Sequence, residues 1–165
     1  MFWGNATMTE SFVKTDFSGL TRFMGWLKDS NKYAVKVGIL GKKNNRSDGE
    51  MTNAEIGLIS EYGSRTRNIP IRSFLRMPIS VKSKDIIKMA SINALKLMTD
   101  GKGKQVFKNI GIACEAVIQD AFGSRGFGTW EGNRPSTIKR KKSDSPLIDM
   151  GFLRKSISSE VIKNG

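Results

Sequence analysis

Apolar and polar positions follow two periods along this chain, and each period predicts an element. Leu20, Phe23, Met24 and Leu27 recur at i, i+3, i+4 and i+7, the stripe of an amphipathic helix over residues 18–31. The next stretch, YAVKVGIL at 33–40, is β-branched and sets Tyr33, Val35, Val37 and Ile39 on one face, which predicts a strand. The polar GKKNNRSDGE that follows reads as a mobile loop. Residues 1–12 carry no periodicity and are expected to form a flexible arm.

TNAEIGLISEYGS opens on a capping box. The Thr52 hydroxyl can accept from the amide of Glu55, whose carboxylate can reach back. Ala54, Ile56, Ile59 and Tyr62 are the expected apolar contacts of this short helix, and Gly63 is placed to end it. SRTRNIPIRSFLR should then run extended around Pro70, because a residue before proline avoids helical angles. Two longer helices are expected beyond it. One spans 83–98 with Ile86, Ala90, Asn93, Ala94 and Leu97 on a side. The other spans 104–122 with Val106, Ile110, Ala113, Val117, Ala121 and Phe122 on a stripe. TDGKG joins them, so an antiparallel pair is predicted.

The last third reads as irregular until residue 157, with Trp130 on a glycine-rich loop, GSRGFGTWEGN. Asp149 is placed to N-cap a one-turn helix over 150–155 anchored by Phe152 and Leu153. SISSEVIKN alternates like a strand, with Ile157, Ser159 and Val161 on one face, and would pair with 33–40. The fold class is therefore α+β: a small antiparallel sheet packed against two long helices, with extended loops. Residues 31–165 form one such domain, preceded at 1–30 by an arm and a short helix.

Composition narrows the chemistry more than the fold. The 165 residues, 38% hydrophobic and 26% charged, suit one folded domain. No apolar run reaches the roughly 20 residues that a bilayer span needs, so no membrane contact is expected. MFWGNATMTE lacks the charged and apolar regions of a secretory leader. One cysteine, Cys114, leaves no internal disulfide framework, and its place on an apolar helical face reads as a buried thiol. With no histidine, Ser-His and Cys-His nucleophiles and histidine metal sites are excluded. The formal charge of +13 points to a polyanion or an acidic protein surface as partner.

The remaining motifs carry little enzymatic chemistry. GILGKKNNRS lacks the spacing of a phosphate loop, and GSRGFG follows a helix where a dinucleotide fingerprint follows a strand. Glu55 and Glu61 stand near opposite ends of one short helix, and Glu115 and Asp120 flank another, where solvated faces are expected. No catalytic, cofactor-binding or metal-binding residue is assigned, and the chain is not expected to be an enzyme. Basic residues gather in three places: Lys36, Lys42, Lys43 and Arg46; Arg65, Arg67, Arg72, Arg76, Lys82 and Lys84; and Arg134, Lys139, Arg140, Lys141 and Lys142. Between Glu61 and Asp85 there is no acid at all. A sequence-independent nucleic-acid binder could use these clusters against phosphates, with only Trp130 and Phe127 nearby as stacking platforms.

Taken in order, VGIL, AEIGLISEYGS, NIPIRSFLR, a helical middle, RPSTIKRKK and SPLIDMGFLRKSISSEV resemble the virion-morphogenesis, tail-completion or neck proteins of tailed bacteriophages. The family has a strand ending in Val-Gly, a short helix ending in Glu-Tyr-Gly, an Ile-Pro-x-Arg-x-Phe segment, a Thr-Ile-x-x-Lys element and a Pro-Leu-Ile-Asp-Thr-Gly closure. The likeness covers about residues 33–162. Met150 replaces the usual threonine of the closure. Ser73 replaces a common proline, so a less rigid turn is expected there.

The resemblance implies a structural neck or tail-completion component, present in the virion and made in the host cytoplasm. It would work at the head–tail junction or tail end as a homo-oligomeric ring, for which a hexamer is one candidate size. Its partners would be other virion proteins (connector, tail terminator or tail tube), with non-specific DNA contact as a further candidate and no cofactor. The assembly residues it implies are Arg72, Phe74 and Arg76 in one turn and Asp149, Gly151 and Leu153 in the other. Asp149 and Gly151 would fix the backbone, Phe74 and Leu153 would anchor, and the arginines would pair with acidic partner groups.

Overall fold

Two strands far apart in sequence make the sheet. In the computed structural model, which describes residues 16–45, 51–149 and 151–163, β1 (Tyr33–Ile39) pairs antiparallel with β2 (Ile157–Lys163). The register sets Val35 opposite Val161, Val37 opposite Ser159 and Ile39 opposite Ile157, so all the β-branched residues of β1 share one face with Ile157 and Val161 of β2. The arm expected at 1–12, Arg46 and Met150 fall outside the described residues.

The helices are α1 (Ser18–Asp29), α2 (Asn53–Tyr62), α3 (Arg76–Val81), α4 (Ser83–Ser91), α5 (Ala94–Thr99), α6 (Lys104–Gly123), α7 (Pro135–Lys141) and α8 (Phe152–Ser156). The protein is thus α+β, a small antiparallel sheet packed against helices. A two-stranded sheet is marginal alone, and α6 supplies its backing by lying across both strands. The close approach depends on Gly111. A Cβ there would fall on the Ser159 hydroxyl and within 2.8 Å of its Cβ.

α6 is also the spine of the core. Ile118, Ala121 and Phe122 join Phe74, Trp130, Leu153 and Ile157 in one apolar cluster. Ala113, Cys114 and Val117 join Ile86 of α4 in a second. Phe122 lies edge-on to Trp130 and tilted against Phe74, at centroid distances of 5.8 and 5.5 Å. Burial raises the Cys114 thiol above its ordinary value, with the charge of Glu115 adding to it.

Three local expectations are corrected. The helix expected over 83–98 is broken, because Asn93 adopts φ 58° in the left-handed region and ends α4 before α5 starts. Asparagine tolerates that conformation better than most residues. RPSTIKRKK, read as irregular, forms α7 with Pro135 at its first turn, where the missing N–H costs nothing. Within the loop expected to be mobile, residues 41–44 form a 3₁₀ turn docked on α2. There the Asn44 side chain accepts from the Ala54 amide at 2.7 Å and the Asn53 side chain donates to the Lys43 carbonyl at 2.8 Å. Trp130 does lie on a loop, as expected, but that loop is packed inward: Trp130 is 7% exposed, and its indole N–H donates to the Ser73 carbonyl at 3.2 Å.

The capping box of α2 forms as expected: the Glu55 amide meets the Thr52 hydroxyl at 3.3 Å and Glu55 Oε2 accepts the Thr52 amide at 2.8 Å. Gly63 ends the helix with its N–H on the Ile59 carbonyl. The buried face of α2, however, is not the apolar one. Asn53, Gly57, Ser60 and Glu61 point inward, while Ala54 and Tyr62 are exposed.

Candidate functional site

The most heavily bonded side chain of the region is Glu61, in the last turn of α2 and only 4% exposed. Its Oε2 accepts the amides of Phe74 at 2.8 Å and Leu75 at 3.0 Å. Its Oε1 accepts the Ser73 hydroxyl at 2.6 Å, the Arg76 amide at 3.2 Å and Arg76 Nε at 3.0 Å. The Ser73 hydroxyl in turn accepts the Met77 amide at 3.0 Å. Helix starts leave their first amides without intrahelical partners. Here a carboxylate from another helix and one serine satisfy those of α3, and Pro78 in its first turn has none to satisfy. Anions are favoured at such an end.

Burial alone would push the Glu61 carboxyl up. The Ser73 hydroxyl, the Leu75 amide and Arg76 outweigh it and hold the group below its ordinary value. Glu61 was expected among solvated carboxylates and is instead the buried keystone of the turn. Ser73, expected to loosen the turn where proline is common, fastens it from both sides. The arginines are engaged within the chain. Arg76 pairs with Glu61 and stacks over the Tyr62 ring 4.5 Å from its centroid. Arg72 donates from Nε to the Glu131 carbonyl at 2.9 Å and from its terminal nitrogen to the Gly132 carbonyl at 2.8 Å.

The second turn is built differently from its sequence reading. Asp149 does not cap α8: it is exposed, and Gly151, at φ 76°, takes the N-cap position. Phe74 at 1% exposure and Leu153 at 4% belong to the chain's own core, so neither presents an anchoring surface. Gly57 lets α2 approach this pair. A Cβ there would lie 2.8 Å from Ile39 Cδ1, 3.3 Å from Phe74 Cζ and 3.6 Å from Leu153 Cδ1.

The two turns nonetheless meet. Arg72, Asp149, Gly151 and Leu153 line one cleft of about 290 Å³, together with Arg140 and Lys141 of α7. Phe74 and Arg76 fall outside it and line a more apolar groove of about 380 Å³ along β1 and α2. α7 is what brings the second and third basic clusters together. Arg67 and Arg134 share a neighbouring cleft with Arg72. Trp130 is buried and cannot serve as a stacking platform for bases.

Among the described residues, no three ligating side chains gather where a metal could be held. No helix among them is long and apolar enough to cross a membrane. Comparison with known proteins adds no relative: no family model matches the chain, and neither a curated protein nor a solved structure matches it.

Proposed function

We propose that this protein is a structural component of a tailed-phage particle, a neck or tail-completion subunit that assembles as a ring at the head–tail junction or tail end. It is made in the host cytoplasm and incorporated into the virion, and it works by docking against other virion proteins without making or breaking bonds. The observation that carries the reading is the Glu61 network. The Glu-Tyr-Gly and Ile-Pro-Ile-Arg-Ser-Phe segments, two of the elements that carry the family likeness, are joined to each other through one buried carboxylate. A carboxylate that accepts from five donors on its own chain is committed to holding that chain in place. It holds a bend in fixed shape, as a subunit needs when it presents the same patch to every neighbour.

The test is the position of the chain in an image of an assembled particle, supported by native mass measurement of the isolated protein. Density at the junction or a closed ring supports the reading. A monomer that is absent from the particle overturns it, and so does tight duplex-DNA binding whose affinity falls with salt at about −0.9 log unit per phosphate. That result would favour sequence-independent nucleic-acid binding instead.

A further inference from the structure

The cleft that α7 shares with Leu147, Asp149 and Gly151 has a charge imbalance among the described residues. Arg72, Arg140 and Lys141 line it, and Asp149 is the one acidic side chain among its lining residues. Arg72 is committed to two backbone carbonyls. Lys141 reaches the Ser145 carbonyl at 3.3 Å and is half-buried. Arg140 is exposed and has no hydrogen bond or ion pair among the described residues. Burial lowers the Lys141 ammonium from its ordinary value, Asp149 works against that, and the charges of Arg72 and Arg140 lower it further. Lys141 thus faces two further cations across a partly dehydrated cleft, and an entering anion would relieve that repulsion.

The rest of the lining says what kind of anion. Ile56, Leu147 and Phe152 give the cleft an apolar side. A duplex backbone would set a row of phosphates against a surface and leave such a side unused. We infer that this cleft receives an acidic side chain together with an adjacent aliphatic residue, presented by a segment of a partner polypeptide. The carboxylate would lie among Arg72, Arg140 and Lys141, and the aliphatic group against Leu147 and Ile56. The partner class rests on the assembly reading above; the cleft chemistry rests on the lining residues.

The experiment titrates the full chain against fluorescein-labelled peptides and reads polarisation. One peptide carries paired aspartates beside a leucine, a second has asparagines in their place, and a third has glycine for the leucine. The first should bind, the second should fail, and the third should be weaker. Arg140→Ala and Lys141→Ala should each weaken the first peptide by about tenfold or more, because each removes a charge facing the ligand. Lys88→Ala, a charge removed on the exposed face of α4, should leave it unchanged. Arg140 has no partner among the described residues, so its variant should keep the native circular dichroism.

Equal weakening by Lys88→Ala would mean that net charge alone is at work and would overturn the inference. Absence of peptide binding would also overturn it, as would a DNA duplex that displaces the peptide and is itself weakened by Arg140→Ala. A chain that closes into a ring but ignores every peptide would sink the cleft and leave assembly standing. A chain that binds the peptide but is absent from the particle would do the reverse.

Discussion

Glu61 accepts the backbone amide of Phe74 at 2.8 Å, and through that contact a polar residue at the end of one helix sets the position of a core aromatic ring. Four further donors share the same carboxylate. Glu61→Gln keeps the shape but replaces one acceptor oxygen with a donor facing other donors. Loss of about 2–4 kcal/mol of stability is expected, since buried groups left unpaired around a charge are costly. Urea unfolding checks this, and Glu61→Ala should lose more.

The same carboxyl gives a pH signature. Its folded pKa is lowered, so its contribution is fully present above the ordinary glutamate value of 4.5 and is lost as pH falls below that through the folded value. Thermal melts of the wild type should therefore fall off below about pH 4.5, and Glu61→Gln should flatten that part of the profile. Glu55 and Asp16 are also held low, by hydrogen bonds from Thr52 and Ser18, but they lie at the surface and should contribute little.

Gly111→Ala sets two effects against each other. Alanine favours helix by about 1 kcal/mol, but the added carbon meets the Ser159 hydroxyl and Cβ, with Val35 at 3.3 Å behind. The neighbours are short side chains close to their strand backbones, with little room to swing away, so the overlap should win, with a net loss of about 1–2 kcal/mol. Gly123→Ala, which meets nothing within 4 Å, is the control and should not destabilise.

Arg72 holds the 131–132 carbonyls through two nitrogens of one planar group. A lysine cannot reproduce that fork. Arg72→Lys should free the segment nearly as much as Arg72→Ala, seen as faster amide hydrogen exchange across 130–134, with about 1–2 kcal/mol lost.

Cys114 is 6% exposed, and burial makes its thiolate harder to form. Reaction with an aromatic disulfide reagent should be slow in the native protein and should follow global unfolding in urea. Fast labelling under native conditions would show that α6 opens locally.

Much of the fold was legible because its signals are local. β-Branched alternation marked both strands, and a Thr-x-x-Glu spacing marked the start of α2. What escaped was set by partners elsewhere in the chain. The stripe of 83–98 continues across Asn93, so periodicity cannot register a single left-handed residue. The inward face of α2 is Asn53, Gly57, Ser60 and Glu61, a helical spacing of polar and small residues that a search for apolar faces passes over. Glu61 did leave a trace: it is the last acid before a stretch with none until Asp85 and several arginines. That asymmetry was read as surface charge, although it also suits one carboxylate serving many donors. At the second turn Asp149 had the right residue type for a cap, but Gly151 had the backbone freedom and took the place.

The sheet joins β1 to β2 across about 120 residues, a separation that makes closure slow. During synthesis, every helix from α2 to α8 leaves the ribosome before the strand that completes their platform. Until β2 arrives, the edge of β1 that pairs with it and the flank of α6 that it covers stay open. The newborn chain therefore passes through an interval in which it is prone to stick to its own copies, before it has the shape with which to join them in order.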